Sequence, residues 1–253
     1  MIVSVCGKGG SGKSVLTTLL AHEAESRGYS VFVLDADESN SGLYHLLGLE
    51  GPPDPLMDFL GGKDAVKQGM GSGNVLARER ISPDSLPAGY GRISGGLKLA
   101  AVGKIHQALE GCACPMGVLT REFLKKLELG NGEIAFVDME AGVEHFGRGV
   151  EEAVDFVLLA VEPSMESLQL ATRVRELASG MGKNAGAVLN KVSSREWRDK
   201  MEQWLTERDV SVIGSVPEDP SIFEACLEGS RIGQSPASEA VVPILERILG
   251  PRE

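Results

Sequence analysis

The sequence predicts an α/β protein: a single doubly wound, mostly parallel sheet with helices on both faces, in one domain spanning residues 1–253. Three observations carry that expectation. Short continuous apolar runs alternate with longer stretches of helical period, the pattern of buried strands joined by crossover helices. Aromatic residues are only 5% of the chain against 42% hydrophobic residues, so the core is expected from Val, Leu, Ile and Ala, as in sheets covered on both sides. No internal repeat or low-complexity linker divides the chain.

The elements follow in order. MIVSVC (1–6) reads as a central strand that ends at a glycine loop. From Ser14, Leu16, Leu19, Leu20 and Ala24 recur at helical spacing, and Gly28 stops the helix. VFVLD (31–35) is a second buried strand. Residues 50–96, with GPPDP, GSG, SPDSLPAGYG and SGG, read as long loops with one short helix near 55–60. Further strands are expected at 97–103, 134–138, 155–163, 186–192 and 210–220. Helices are expected at 116–127, 164–182 and 195–207, and in PSIFEACLEG and SEAVVPILERILG near the end.

Charge narrows the function. The net charge is −11, from 25 basic and 36 acidic residues. Nucleic-acid binding needs a basic face to displace counterions, and anionic membranes attract basic clusters; neither is expected here. No segment approaches the ~20 apolar residues of a membrane span, and the N-terminal apolar run has no basic lead-in, so the expectation is a cytoplasmic protein. Its four cysteines are then thiols or metal ligands.

The stretch GKGGSGKS (7–14) fits the phosphate-loop pattern, between a strand and a helix as the mechanism requires. Gly9, Gly10, Ser11 and Gly12 let backbone N–H groups turn toward phosphates. Lys13 reaches the β and γ oxygens, and Ser14 ligates Mg²⁺. The bland reading, a glycine turn that merely joins two elements, leaves this spacing unexplained. Lys8 is a second lysine. Within one chain it would be a solvated surface charge. Across a face-to-face symmetric dimer it would reach the partner's triphosphate, in the manner of an arginine finger.

Cys112 and Cys114, in EGCACPMG, offer two thiolates, whereas a closed soft-metal site usually wants four ligands. A dimer would complete an S₄ set on its axis. The competing reading is a pair of small, partly buried residues in a turn. Cys6 and Cys226 are expected in the core, and His106 and His145 as polar surface histidines, with extra ligands or switch residues as the lesser reading.

The KGGxGK[ST] form resembles the deviant Walker motif of the dimerising ATPase class that includes MinD, ParA and the nitrogenase iron protein, with a phosphate-loop NTPase fold. The resemblance implies further roles. LDADES (34–39) looks like the first switch, with Asp37 orienting the attacking water. VDMEAG (137–142) looks like the second, with Asp138 in the magnesium shell, Gly142 near the γ-phosphate, and Glu140 of open effect. Asn190-Lys191 resembles the adenine-recognition position, and Pro217-Glu218 would line the base or ribose. GKGGSGK, DMEAGVEH (138–145) and GCACPMG together resemble the CooC-type ATPases through nearly the whole chain. That similarity implies an ATP-dependent homodimer that binds Ni²⁺, or Zn²⁺ in its place, through Cys112 and Cys114 and delivers nickel to apo carbon monoxide dehydrogenase. Two alternatives stay open: a spatial organiser of the MinD or ParA kind, and a dimeric ATPase with an interfacial iron–sulfur cluster.

Overall fold

The carboxyl edge of one sheet collects the functional residues, and strand register does the collecting. In the computed structural model, which describes residues 1–39, 42–62, 64–66, 68, 79–104 and 114–250 (Cys114 by its backbone only), the strands are β1 (Ile2–Gly7), β2 (Ser30–Asp35), β3 (Arg92–Ser94), β4 (Leu97–Ala101), β5 (Glu133–Asp138), β6 (Phe156–Val161), β7 (Asn184–Val192) and β8 (Val212–Pro217). They form one sheet in the order β3-β4-β2-β5-β1-β6-β7-β8. Every pairing is parallel except β3 with β4. The expected fold class is therefore observed. Strand β3 was not foreseen; it is a three-residue edge inside the glycine-rich stretch, with all three residues exposed.

Successive strand residues point to opposite faces, and the two cores divide accordingly. Val31 and Val33 pack on one side, with Leu16, Leu19 and Leu20 of helix Lys13–Ser26 and Ile244 of helix Val242–Leu249. Phe32 and Leu34 pack on the other, with Phe123 of helix Cys114–Lys126 and with helices Met165–Gly180 and Arg195–Thr206. Phe32 and Phe123 stack with ring centroids 6.0 Å apart. Each fully buried side chain of this size contributes about 1.5–3 kcal/mol by leaving water.

The order reverses at β1, which lies between β5 and β6, and such a reversal opens a crevice beyond the carboxyl ends of the strands. Asp35 pairs in register with Asp138 across β2 and β5, and Gly7 with Ala160 across β1 and β6. Two carboxylates and the start of the phosphate loop thus share one edge.

Some boundaries differ from expectation. The strand predicted at 97–103 closes at Ala101, because Val102 onward turns back to bond Asp35 and Met57 through its own backbone. The strand predicted at 210–220 is confined to Val212–Pro217, since Pro220 already starts the next helix with Asp219 as its cap. Among the described residues no helix is long and apolar enough to cross a membrane.

Candidate functional site

The loop after β1 folds as its glycines require. Gly7 has φ +151°, and a Cβ there would strike the backbone oxygen of Ala160 on the neighbouring strand. Gly12 has φ +90° in the left-handed region and lies against the side chain of Asn190. Gly12 caps helix Lys13–Ser26 without a side-chain hydrogen bond, and the first turn holds no acid. Helices Met165–Gly180, Arg195–Thr206 and Pro220–Glu228 are instead capped by Ser164, Ser194 and Asp219. The uncapped N–H groups and the positive end of the dipole are left for an anion.

A cleft of about 450 Å³ opens over this helix end, lined by Gly9, Gly10, Gly12, Lys13, Ser14 and Val15 of the loop, by Asp37, Ser39 and Ala141, and by Gly42, His45, Leu46, Cys226 and Gly229 at its far end. Lys13 is buried, with Nζ 3.5 Å from the Lys8 carbonyl oxygen. Ser14 Oγ donates to Asp138 Oδ2 at 2.6 Å, while Asp138 Oδ1 is buried without a partner. Burial and the charge of Asp35 push Asp138 up to about 7, against the Ser14 bond and Lys13. An orphaned buried carboxylate oxygen beside a hydroxyl suits a hard cation with oxygen ligands, as Mg²⁺ is.

Asp37 is buried at the same mouth. Its backbone N–H donates to Asp35 Oδ1 at 3.3 Å, and its Oδ1 accepts from the Ser39 N–H at 2.9 Å and the Ser39 hydroxyl at 2.6 Å. Lys104 pins this segment, with Nζ 2.7 Å from Asp35 Oδ2 and bonded to the Asp37 carbonyl. Burial raises Asp35 to about 6 even so. On the second switch, Gly142 donates its N–H to the Gly7 carbonyl at 3.2 Å. Glu140 pairs with Arg148, whose side chain lies directly against Gly117 in the first turn of helix Cys114–Lys126. Burial and the charge of Glu38 hold Glu140 up at about 7 despite Arg148.

Other residues depart from expectation. Lys8 is a partly exposed surface lysine, and it is also paired: Nζ sits 3.1 Å from Glu162 Oε1 and 3.1 Å from Glu166 Oε2, which raise its pKa. Glu162 is shared, its other oxygen lying 3.7 Å from Lys191 Nζ. Asn190 is buried and donates from Nδ2 to the Ser11 carbonyl at 2.8 Å, so it braces the loop from below. Neither Asn190 nor Pro217, which pairs with Val192 at the end of β8, lines the cleft. Cys226 is a correction: it is exposed and lines the cleft, because helix Pro220–Glu228 buries only Ala225. Cys6 is in the core as expected, its thiol pushed up by burial. His145 is the second correction: it is enclosed by the fold, at 1% exposure. Cys112 and His106 lie outside the described residues, and Cys114 enters through its backbone alone, as the first residue of helix Cys114–Lys126. Sequence reasoning also missed Glu162, Glu166 and Lys104, whose partners come from distant segments, and Arg148, which pairs with Glu140 eight positions earlier.

Comparison with known proteins agrees with this geometry. Residues 2–232 match the CbiA family, described as the CobQ/CobB/MinD/ParA nucleotide binding domain. An uncharacterized ATP-binding protein of Methanocaldococcus jannaschii is 42% identical, over 92% of this chain and 94% of that protein. The carbon monoxide dehydrogenase accessory protein CooC of Rhodospirillum rubrum is 31% identical, over 100% and 99% of the two chains. Among solved structures, the septum site-determining protein MinD of Pyrococcus horikoshii, complexed with Mg-ADP, superposes with a TM-score of 0.72 at 20% identity, covering 98% of this chain and 95% of that one; it speaks to fold alone. On the phosphate loop, the strand order and the match over most of its length, the chain belongs to the CobQ/CobB/MinD/ParA family of nucleotide-binding domains and is an ATPase of that class.

Proposed function

We propose that this ATPase is a cytoplasmic metallochaperone: ATP draws two copies together, the pair holds nickel (or zinc) between Cys112 and Cys114 of each, and hydrolysis releases the metal to an apo carbon monoxide dehydrogenase. The observation that carries the reading is the Cys-x-Cys of EGCACPMG, in a chain similar over its full length to a carbon monoxide dehydrogenase accessory protein.

In the hydrolytic step the loop N–H groups of residues 9–14 and Lys13 bind the phosphates. Asp138 and Ser14 would hold Mg²⁺, which supplies positive charge beside the β and γ oxygens when bound. Asp37 orients the attacking water; positioning suffices there, since phosphoryl transfer asks little of a base. Lys8 leaves Glu162 and Glu166 and stabilises charge on the partner's transferring phosphoryl group. Asn190 steadies the loop through its bond to the Ser11 carbonyl. Two links support coupling to the thiols. Lys104, bonded to Asp35 and Asp37, precedes the cysteine segment, and Arg148, paired with Glu140, abuts Gly117 just after it. The net charge of −11, and the glutamates that offset Arg247 in the final helix, argue against nucleic acid or membrane as partner.

The test is equilibrium binding of nickel and zinc to the full chain with ADP, with ATP and without nucleotide, alongside sedimentation. One ion per dimer with ATP, lost in the double variant Cys112→Ser/Cys114→Ser while ATP still binds, is the expected result. One ion per monomer, or binding unaffected by the double substitution, overturns the shared site.

A further inference from the structure

His145 lies in the short helix Glu144–Gly147, and Glu151 in the 3₁₀ turn Val150–Ala153. Both are enclosed, at 1% and 0% exposure. His145 Nδ1 bonds Glu151 Oε1, and Nε2 lies 3.2 Å from the carbonyl oxygen of Gly142. Both neighbours are acceptors. The ring is held at both nitrogens, between a carboxylate oxygen and a backbone carbonyl.

The chain of contacts continues. Gly142 donates its own N–H to the carbonyl of Gly7, where the phosphate loop begins. A single connected path therefore runs from Glu151 through His145 and Gly142 to Gly7. It comes at a cost, because Glu151 Oε2 is buried with no partner. The Phe146 ring lies 4.9 Å from that of His145, and Val150 and Val154, near Glu151 in the chain, are core residues, so apolar side chains there would pack without that cost. A pair retained against such a cost is explained when the ring's orientation is what matters.

We propose that His145 is a positioning residue for ATP hydrolysis: clamped by Glu151, it fixes the carbonyl of Gly142 and so sets the second-switch backbone against the phosphate loop. The inference rests on the ATPase reading of the 7–14 loop and is independent of the metal. His145 touches no reacting atom; it acts through Gly142. Its loss should impair turnover while leaving the ground-state phosphate contacts of Lys13 and the loop in place.

The experiment measures steady-state ATP hydrolysis and equilibrium binding of a fluorescent ADP analogue for the full wild-type chain, His145→Ala, Glu151→Ala and Glu151→Gln, each checked for folding by its melting curve. His145→Ala is expected to lower kcat about 10-fold or more with nucleotide affinity held within about 3-fold, as a misplaced positioning group does. Glu151→Gln, whose amide still offers Nδ1 a partner, should recover most of the rate lost in Glu151→Ala. Should the alanine variants not fold, the paired variant His145→Phe/Glu151→Leu, which fills the same space with apolar side chains, decides: kcat lowered about 10-fold at unchanged affinity supports the clamp, and wild-type kcat overturns it. A folded His145→Ala with wild-type kcat overturns the inference, as does an equal fall in turnover and affinity. A wild type that hydrolyses no ATP overturns the ATPase reading and this inference together.

Discussion

Two side-chain pairs flank the phosphate loop, and they are built in opposite ways. Lys8 meets Glu162 and Glu166 at a partly exposed site, where Glu166 is three-quarters open to water. His145 meets Glu151 in a site closed to water, with a carboxylate oxygen left unpartnered. Solvent compensates the first pair when it opens, so separation is cheap. The second leaves a buried polar group without its partner if either member is lost. The difference teaches which side chain can travel. Lys8 is held by a contact it can leave, and His145 by one it cannot.

The comparison breaks most visibly in turnover. Lys8→Ala should cut kcat by about 10³-fold, the scale of a charge-stabilising finger, while nucleotide binding survives. Steady-state hydrolysis with parallel binding measures it, and unchanged turnover removes the travelling role. Next is stability: Glu151→Ala should cost about 1–3 kcal/mol in denaturant unfolding, because His145 Nδ1 loses its buried partner. A loss below that range would mean the pair is less enclosed than its geometry.

A smaller effect follows from Asp138, whose pKa is raised to about 7 in the fold against about 3.9 in an unfolded chain. Between those values the folded state binds the proton more tightly, so this residue's contribution to stability falls as pH rises, and the full cost is present above pH 7. Without nucleotide or metal, Asp138→Asn should therefore melt higher than wild type by about 3 °C or more at pH 8, with the gap narrowing toward pH 4. Magnesium with ATP should reverse the order. A gap independent of pH contradicts the assignment. Smallest of all, Glu166→Ala should leave the unfolding midpoint within replicate error, since water already solvates that carboxylate.

Much of this molecule was legible in its residues, for reasons that differ by region. The phosphate loop announces itself because its glycines, lysine and serine must stand at fixed offsets between a strand and a helix. The strands were legible because a sheet covered on both faces needs unbroken apolar runs. Boundaries such as Ala101 were less so, since they depend on which backbone Val102 meets. His145 was read as a surface residue because a histidine beside Glu144 in a short polar run looks solvated; its burial depends on a turn six residues later. Cys226 was read as core because its helix is apolar, yet that helix buries only Ala225. The partners of Lys8 lie 154 and 158 positions away in the chain, and no local spacing foretells them. The cysteine segment was legible only as a motif.

Glu162 answers to Lys191 as well as to Lys8. Under the proposed exchange between copies, Glu162 would keep Lys191, whose Nζ also bonds the Gly10 carbonyl, and Glu166 would be left to water. Departure of the lysine would then strand no buried anion, and the floor beneath the loop would stay in place through each cycle.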